Sequence, residues 1–229
     1  MTGTQPNPSR KTILAGVFLL IALLTGWLFF LYPFRNYHFP KDTIYYLSRL
    51  LLWLCLCIMF FYAVKVEKRP YLLWKEEKYP FSFYILSFFA IIGILFFGSF
   101  FLGIIVKLLK WEGDTSKYLK MVKIFKADTL LLVVTCITAG VVEELLFRGY
   151  LMPRLQLLLK KPWLSIFISS ALFGAMHFGY GNFAQIAGPF FIGLVFAGYY
   201  HKYRNIKVLI FCHFFWDLSL LLIAVKLKH

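Results

Sequence analysis

The chain has 229 residues, of which 61% are hydrophobic, 21% aromatic and only 15% charged, whereas about 25% of the residues in a soluble domain are charged. This composition excludes an ordinary water-soluble globular protein, because so much apolar surface has to be covered by lipid. The formal net charge of +15 does not indicate nucleic-acid binding, because the 25 lysines and arginines are spread between apolar runs, where lipid headgroups lie. We therefore expect a multi-pass protein of the cell (inner) membrane, surrounded by membrane lipids.

The N-terminal half predicts three membrane spans and one segment at the membrane surface. Residues 1–11 form a polar tail, and the long apolar run at residues 12–32 predicts a retained signal anchor rather than a cleaved signal peptide. Further spans are predicted at residues 44–64 and 81–106. The lysine-rich stretch at residues 107–126 suits a helix lying among the headgroups, or alternatively a solvated loop.

The C-terminal half predicts four more spans. They cover residues 128–147, 163–178, 183–200 and 206–225. Together with the segment at the membrane surface, the spans predict an all-α fold, a polytopic transmembrane bundle of about seven to eight helices.

Three acidic residues lie within predicted spans, where a charge facing lipid would cost about 2.5–3.5 kcal/mol. Glu143 and Glu144 end the fourth span, and Asp217 lies inside the seventh. The other seven of the ten acids lie in loops or at span ends, and the first three spans contain no acid or histidine. The three intramembrane acids must therefore face protein, water or one another.

The first motif is the sequence Val-Val-Glu-Glu-Leu-Leu-Phe-Arg-Gly at residues 141–149. Glu144 and Arg148 are four residues apart, so on a helix they lie on one face and pair. Glu143 is rotated by about 100° from Glu144 and points away from this pair. An unpaired, desolvated carboxylate suits a general base, although a simple ion pair at a helix end would also explain the motif.

Two later spans contain histidines. Phe173 precedes His177 by one helical turn, and His213 precedes Asp217 by one turn, so each pair lies on one helix face. Each pair has a structural alternative, either a hydrogen-bonding histidine or a polar clasp between helices. Because three late spans all carry costly polar groups, we predict that they share one water-accessible pocket.

Such a pocket permits two mechanisms. Glu143 could activate water with help from His177. Alternatively, a divalent metal such as zinc, bound by some of Glu143, His177, His213 and Asp217, could activate the water. The chain has no His-Glu-x-x-His helix and no Gly-x-Ser-x-Gly elbow, so zincin and serine-hydrolase sites have no support.

The three motifs, in this order and on late helices, resemble the CAAX protease and bacteriocin-processing family, also called the CPBP or ABI family, of intramembrane endopeptidases. The family pattern is Glu-Glu-x-x-x-Arg, then Phe-x-x-x-His, then His-x-x-x-Asn or Asp. The resemblance covers about residues 128–225. It divides the chain into the polar tail at residues 1–11, N-terminal transmembrane helices with an interfacial segment at residues 12–126, and a catalytic membrane core at residues 127–229.

The resemblance implies a role for each residue of the motifs. Glu143 and His177 would activate the hydrolytic water, while His213 and Asp217 would stabilise the oxyanion or complete the site. Supporting roles fall to Glu144, Arg148 and Phe173. Asp217 stands where the prenyl-protein-processing members have Asn, and a carboxylate donates poorly to an oxyanion unless it is protonated, which favours metal ligation or histidine orientation instead. The family has been described both as metalloproteases and as glutamate-type enzymes, so both mechanisms stay open.

We therefore predict an endopeptidase that cleaves a membrane-associated or lipidated peptide or protein, such as a prenylated tail, a bacteriocin leader or a C-terminal sorting signal. A proton-coupled transporter is a second reading, since intramembrane acids and histidines also mark ion pathways. The chain shows no paired inverted halves, which argues against it. A third reading is a non-catalytic immunity or scaffold protein that kept the fold.

Overall fold

The computed structural model describes residues 9–36, 40–111, 113–180 and 183–227. Over these ranges the chain forms eight helices and no strand, together with a short 3₁₀ turn at Phe178–Tyr180. In chain order the helices are α1 (Arg10–Asn36), α2 (Lys41–Val66), α3 (Phe81–Leu108), α4 (Ser116–Ala127), α5 (Thr129–Leu159), α6 (Pro162–Ala175), α7 (Ala184–Tyr203) and α8 (Ile206–Leu227). The predicted all-α bundle of about seven to eight helices is confirmed.

Within the described ranges, four helices are long and apolar enough to cross a membrane, namely α2, α3, α5 and α8. Helices α2, α3 and α8 each contain one of the predicted spans, and α5 covers all of the span 128–147 except Asp128, which caps it. The span predicted at residues 163–178 forms only the 14-residue helix α6, which at 1.5 Å per residue is about 21 Å long and shorter than a hydrocarbon core of about 30 Å. The span predicted at residues 183–200 forms α7, which contains Pro189 and has His201 and Lys202 in its last turn.

Helix α4 lies in the segment for which the sequence allowed a surface helix or a loop. Its apolar face is buried against α5 and α8 through Met121 and Phe125. Its four lysines are all exposed: Lys117, Lys120, Lys123 and Lys126. The segment is therefore a helix, and its place among lipid headgroups stays a prediction.

Helix α5 is longer than the sequence predicts. The predicted span ended at residue 147, but the helix continues to Leu159 and has 31 residues. The prediction of this end was wrong because both arginines beyond it have buried carboxylate partners: Arg148 pairs with Glu144, and Arg154 pairs with Glu67. A paired charge does not have to leave the bundle, so it does not end the helix.

Helix α5 is the central element, because α1, α2, α6 and α8 all pack against it. The largest core cluster joins Leu20 of α1 and Met59 of α2 to Val142 and Leu146 of α5. Helices from both halves of the chain thus share one core. The division of the chain after residue 126 stays a prediction.

Two glycines let helices around this centre approach closely. A Cβ atom on Gly140 of α5 would lie 2.8 Å from the carbonyl oxygen of Ile210 and 3.1 Å from the Cβ of Phe214 on α8. A Cβ atom on Gly193 of α7 would lie 3.0 Å from the Cβ of Ser170 on α6. Larger side chains would push these helices apart, so both glycines set the helix spacing around the predicted site.

Candidate active site

Glu144 is the hub of the predicted site. It lies between two widened π turns of α5, Ala139–Glu143 and Leu145–Leu151, a backbone feature that is frequent at functional sites. Its buried Oε1 atom accepts a hydrogen bond from Nη1 of Arg148 at 2.8 Å and lies 2.7 Å from Nδ1 of His213. The structure confirms the predicted pair with Arg148. The sequence did not predict the contact with His213, which ties α5 to α8.

Arg148 holds three helices together. Its guanidinium lies over the ring of Phe173 on α6, 4.4 Å from the ring centroid, and 5.5 Å from the centroid of Phe196 on α7, in the arrangement of a cation–π contact. Its Nη2 atom donates to the carbonyl oxygen of Gly193 at 3.4 Å. Phe173 was predicted as a supporting residue. Phe196 and Gly193 were not predicted, because the middle of α7 carries no ionisable side chain that would indicate a polar site.

His213 lies between two carboxylates. Its Nδ1 faces Glu144, and its Nε2 lies 3.6 Å from Oδ2 of Asp217, one turn further along α8. The sequence predicted that His213 and Asp217 would be within mutual reach, and they are. Because a carboxylate can only accept a hydrogen bond when it is ionised, the ring donates through Nδ1 to Glu144. Both edges of this buried imidazole are therefore oriented.

His177 lies just beyond the end of α6 and is partly exposed. Its Nδ1 atom lies 2.9 Å from the carbonyl oxygen of Phe173, and its ring packs on that of Phe173 with centroids 5.2 Å apart. Since a carbonyl oxygen only accepts a hydrogen bond, Nδ1 of His177 carries a proton. In the neutral tautomer with this proton on Nδ1, Nε2 is the nitrogen that accepts a proton. This tautomer suits a proton acceptor.

Glu143 is partly exposed and stands outside the Glu144 hub. Within the described ranges its carboxylate makes no ion pair with a cation, as the sequence predicts. Asp217 faces His213, and His213 contacts Glu144. The ring of Phe173 contacts both Arg148 and His177. The structure thus brings the predicted site residues together at one place, where α5, α6 and α8 meet.

The residues do not fit a metal ion in their present arrangement. In the part of the chain that the structure describes, no group of three or more His, Cys, Asp or Glu side chains could hold a metal. The four predicted ligands, Glu143, His177, His213 and Asp217, therefore form no such group, and we derive no step through a metal. Zinc or another divalent ion stays a prediction from the sequence.

A second buried ion pair lies further along α5, where the sequence placed only a span end and a loop. Oε2 of Glu67 accepts hydrogen bonds from Nε and Nη2 of Arg154 at 3.1 and 2.7 Å, and Oε1 accepts from the hydroxyl of Tyr150 at 2.7 Å. Nη1 of Arg154 donates to the carbonyl oxygen of Tyr71 at 2.7 Å. The signal in the sequence was Arg154 itself, an arginine in the mostly apolar segment 151–159.

Tyr71 connects this second pair to the predicted site. Its hydroxyl donates to the carbonyl oxygen of Leu145 at 3.1 Å, and Leu145 directly follows Glu144. Its ring lies close to Gly149, where a Cβ atom would be 3.6 Å from Cε1 of Tyr71. The connection between α2 and α3 thus supports the π turn that presents Glu144.

Residues 125–219 match the family of type II CAAX prenyl endopeptidase Rce1-like proteins. The matched segment begins just before α5 and ends inside α8, so it contains all three motifs. Searches of the curated proteins and of the solved structures find no match for the chain. The match confirms the resemblance seen in the sequence and, with the four apolar helices, identifies an integral membrane protein.

Proposed function

We propose that this chain, whose residues 125–219 belong to the CAAX protease family, is an intramembrane endopeptidase in which Glu143 activates the hydrolytic water. The family supports a CAAX-type intramembrane endopeptidase in general. The residue roles, the absence of a metal step and the lipidated substrate are our proposal.

The contact between Glu144 and His213, at 2.7 Å, is the observation that carries the proposal. It joins the first motif to the third across two helices and fixes the ring whose other nitrogen faces Asp217. Glu143 directly precedes Glu144 in the chain but takes no part in the contact between Glu144 and His213. A base that is partly exposed, next in the chain to preorganised polar groups and without an ion pair in the described ranges suits the activation of water.

The proposed reaction is the addition of water to a peptide carbonyl. Glu143 takes a proton from the water, assisted by Nε2 of His177, while the water oxygen bonds to the carbonyl carbon. His213, in the protonated form that its two carboxylate neighbours favour, donates to the oxygen that becomes negatively charged through Nε2, because the 3.6 Å separation of Nε2 from Asp217 is too long for a hydrogen bond and leaves this N–H available. The tetrahedral intermediate then breaks the carbon–nitrogen bond, and the proton held by Glu143 passes to the leaving amine.

Asp217 acts in this scheme by orienting His213. An ionised carboxylate has no proton to donate to an oxyanion, whereas one that faces an imidazole nitrogen fixes the ring and favours its protonated form. The separation of 3.6 Å between Asp217 and His213 supports this role. Glu144 orients the opposite edge of the same ring.

The proposed substrate is a membrane-associated or lipidated peptide or protein. The predicted site lies on α5 and α8, which are long and apolar enough to cross a membrane. A peptide bond reaches such a site most readily when its chain is already held at the bilayer, and a lipid anchor supplies about 0.8 kcal/mol of membrane binding for each buried CH₂ group.

The test is a cleavage assay with the full chain in lipid nanodiscs and a farnesylated peptide that ends in a CAAX-type tail. Mass spectrometry measures the released C-terminal fragment. We expect Glu143→Gln to lower the rate by on the order of 10²–10⁴, the usual contribution of a general base. Glu77→Gln, an exposed carboxylate between α2 and α3, is the matched control and should keep the wild-type rate. Equal rates for both variants would refute the proposal.

A further inference from the structure

Helix α4 lies where two long apolar helices reach one surface of the membrane. Helices α3 and α5 have 28 and 31 residues, which makes them about 42 and 46 Å long, longer than a hydrocarbon core of about 30 Å. A helix that crosses the membrane ends at or beyond the edge of this core. Only residues 109–115 separate α4 from α3, and only Asp128 separates it from α5. These connections hold α4 at the level of the lipid headgroups.

Helix α4 separates its apolar and charged residues into two faces. Met121 and Phe125 are buried against α5 and α8. The 12 residues of the helix include four lysines and no acid. The lysines recur at every third position, so at about 100° per residue they cover about half of the helix circumference. All four are exposed and together form what we call the lysine face: Lys117, Lys120, Lys123 and Lys126.

The first member of the lysine face contacts the chain segment that follows His177. Nζ of Lys117 donates to the carbonyl oxygen of Gly179 at 3.2 Å. Gly179 lies in the 3₁₀ turn Phe178–Tyr180, directly after His177. A lysine in the first turn of a helix faces the positive end of the helix dipole, so it does not stabilise the helix itself. The contact with Gly179 accounts for its position.

A second contact joins the same two parts of the chain. The ring of Trp111, between α3 and α4, packs edge-on against that of Phe183, directly before α7, with centroids 4.6 Å apart. The chain after His177 is thus fixed both to α4 and to the connection that precedes it. Because α4 also packs on α5 and α8, it ties this segment to the two helices that carry Glu143 and Asp217.

The charge and the level of the lysine face fit the phosphate groups of anionic lipids. An ammonium group on a flexible side chain is a point charge that can follow phosphate oxygens in a mobile headgroup layer. Helices that bind to membrane surfaces carry lysines on their polar face in the same way. Neutral headgroups attract such a face less, because each of them carries a cation beside its phosphate.

We propose that the lysine face of α4 binds the phosphate groups of anionic lipids and thereby holds the chain segment after His177 in place. Lys117 is the positioning residue, while Lys120 and Lys123 hold the helix against the headgroups. These three lysines precede the matched family segment. The inference rests on the proposed function in giving His177 a task in catalysis, whereas the lipid contact itself does not depend on it. The lipid composition of the membrane then regulates cleavage.

The experiment follows the chain segment itself, so that its outcome does not depend on turnover. The full chain is placed in nanodiscs of neutral phosphatidylcholine, or of phosphatidylcholine mixed with anionic phosphatidylglycerol. Mass spectrometry measures hydrogen–deuterium exchange of the backbone amides at residues 176–180. We expect anionic lipid to slow this exchange about three- to tenfold, because local opening of the segment becomes less favourable. Inorganic phosphate added to the neutral nanodiscs should leave the exchange unchanged, which distinguishes lipid headgroups from free phosphate.

The variants separate the lysine face from charge in general. Lys120→Gln together with Lys123→Gln should abolish most of the slowing, because the headgroups lose two of their cations. Lys117→Met should abolish it as well, whereas Lys117→Arg keeps a donor and should retain it. The matched control is Lys75→Gln together with Lys78→Gln, two exposed lysines at the opposite end of α3, which should behave as the wild type does.

Equal exchange in the two kinds of nanodisc would overturn the inference. So would slowing that survives the loss of Lys120 and Lys123, slowing that the control pair abolishes equally, or slowing by inorganic phosphate alone. With the farnesylated peptide, kcat should rise about three- to tenfold in anionic nanodiscs, and an unchanged kcat despite slower exchange would also overturn the inference. A protein that shows the lipid effect on exchange but cleaves no peptide would contradict the proposed function alone.

Discussion

Helix α5 contributes the arginine to two buried glutamate–arginine pairs that look alike when taken separately. Arg148 lies 2.8 Å from Glu144, and Arg154 lies 2.7 Å from Glu67. All four side chains are buried. Burial and pairing alone therefore do not distinguish a reaction centre from a structural clasp.

The two pairs differ in how completely their polar atoms are bonded. Around Glu67, both carboxylate oxygens and three guanidinium nitrogens of Arg154 have hydrogen-bond partners. Around Glu144, the Oε2 atom and Nε of Arg148 are buried without a partner among the described residues, and His213 joins the pair. A closed network stabilises one structure, whereas an open one with a titratable ring beside it suits chemistry. The comparison teaches that an incompletely bonded pair with a titratable ring beside it, and not burial alone, distinguishes the predicted site from the clasp.

The largest expected effect comes from removing one carboxylate from each pair. Glu67→Gln and Glu144→Gln each leave a buried arginine without its counter-ion, which costs about 3–5 kcal/mol. Unfolding by denaturant in mild detergent measures this loss. Cleavage per folded molecule should stay within about threefold of wild type for Glu67→Gln but fall by about a hundredfold or more for Glu144→Gln, which also loses the orientation of His213. An equal loss of cleavage in both would remove the distinction between the two pairs.

The role of Asp217 is tested by two replacements. Asp217→Ala should lower kcat by about a hundredfold, because the ring of His213 loses one of its two orienting groups. Asp217→Asn keeps a polar partner but loses the charge, so we expect a loss of about tenfold. Steady-state kinetics with the farnesylated peptide measures both. A variant with Asn that is faster than wild type would instead assign position 217 a role as an oxyanion donor.

A smaller effect is expected at the contact that links the two pairs. Tyr71→Phe removes the hydrogen bond to Leu145, worth about 1 kcal/mol, and should lower kcat about three- to tenfold without changing KM, since the π turn that presents Glu144 loosens. Tyr62→Phe is the matched control. It removes the same kind of bond, from a tyrosine hydroxyl to the carbonyl oxygen of Thr12 at 2.9 Å, which joins α2 to α1 and does not involve Leu145. Equal kinetics in both variants would reduce Tyr71 to a structural role.

The smallest expected effect is that of a chelator. Because the described residues form no metal-holding group, incubation with 1,10-phenanthroline followed by its removal should leave the cleavage rate within about twofold of its starting value. Elemental analysis of the purified protein gives the metal content in parallel. A loss of activity that zinc restores would revive the metal mechanism that the sequence left open.

The sequence predicted the helical bundle, the Glu144–Arg148 pair and the reach between His213 and Asp217, because hydrophobic run length and helical spacing are local properties. It did not predict the contact of Glu144 with His213, which depends on how α5 and α8 pack at Gly140. Nor did it predict the continuation of α5 to Leu159.

The ion pair of Arg154 with Glu67 shows why the sequence did not predict the continuation of α5 to Leu159. Glu67 lies 87 residues away in the chain, and no spacing rule connects a span end to a distant helix. The sequence did not predict the roles of Phe196 and Gly193 for a related reason. In an apolar helix, an aromatic ring and a backbone carbonyl indicate ordinary packing, and only the structure shows that the guanidinium of Arg148 contacts them. Long-range pairing is the information that only the structure supplies.

The central claim, that Glu143 delivers a water molecule to the substrate, is tested most directly by a single turnover in H₂¹⁸O with enzyme in excess of the farnesylated peptide. Mass spectrometry then locates the label in the product and in the enzyme peptide that contains Glu143. Direct attack by water places one ¹⁸O atom in the new C-terminal carboxylate of the product during the first turnover and none in Glu143. An unlabelled product together with ¹⁸O in the Glu143 carboxylate would contradict this account, because the carboxylate itself would then have attacked the peptide bond.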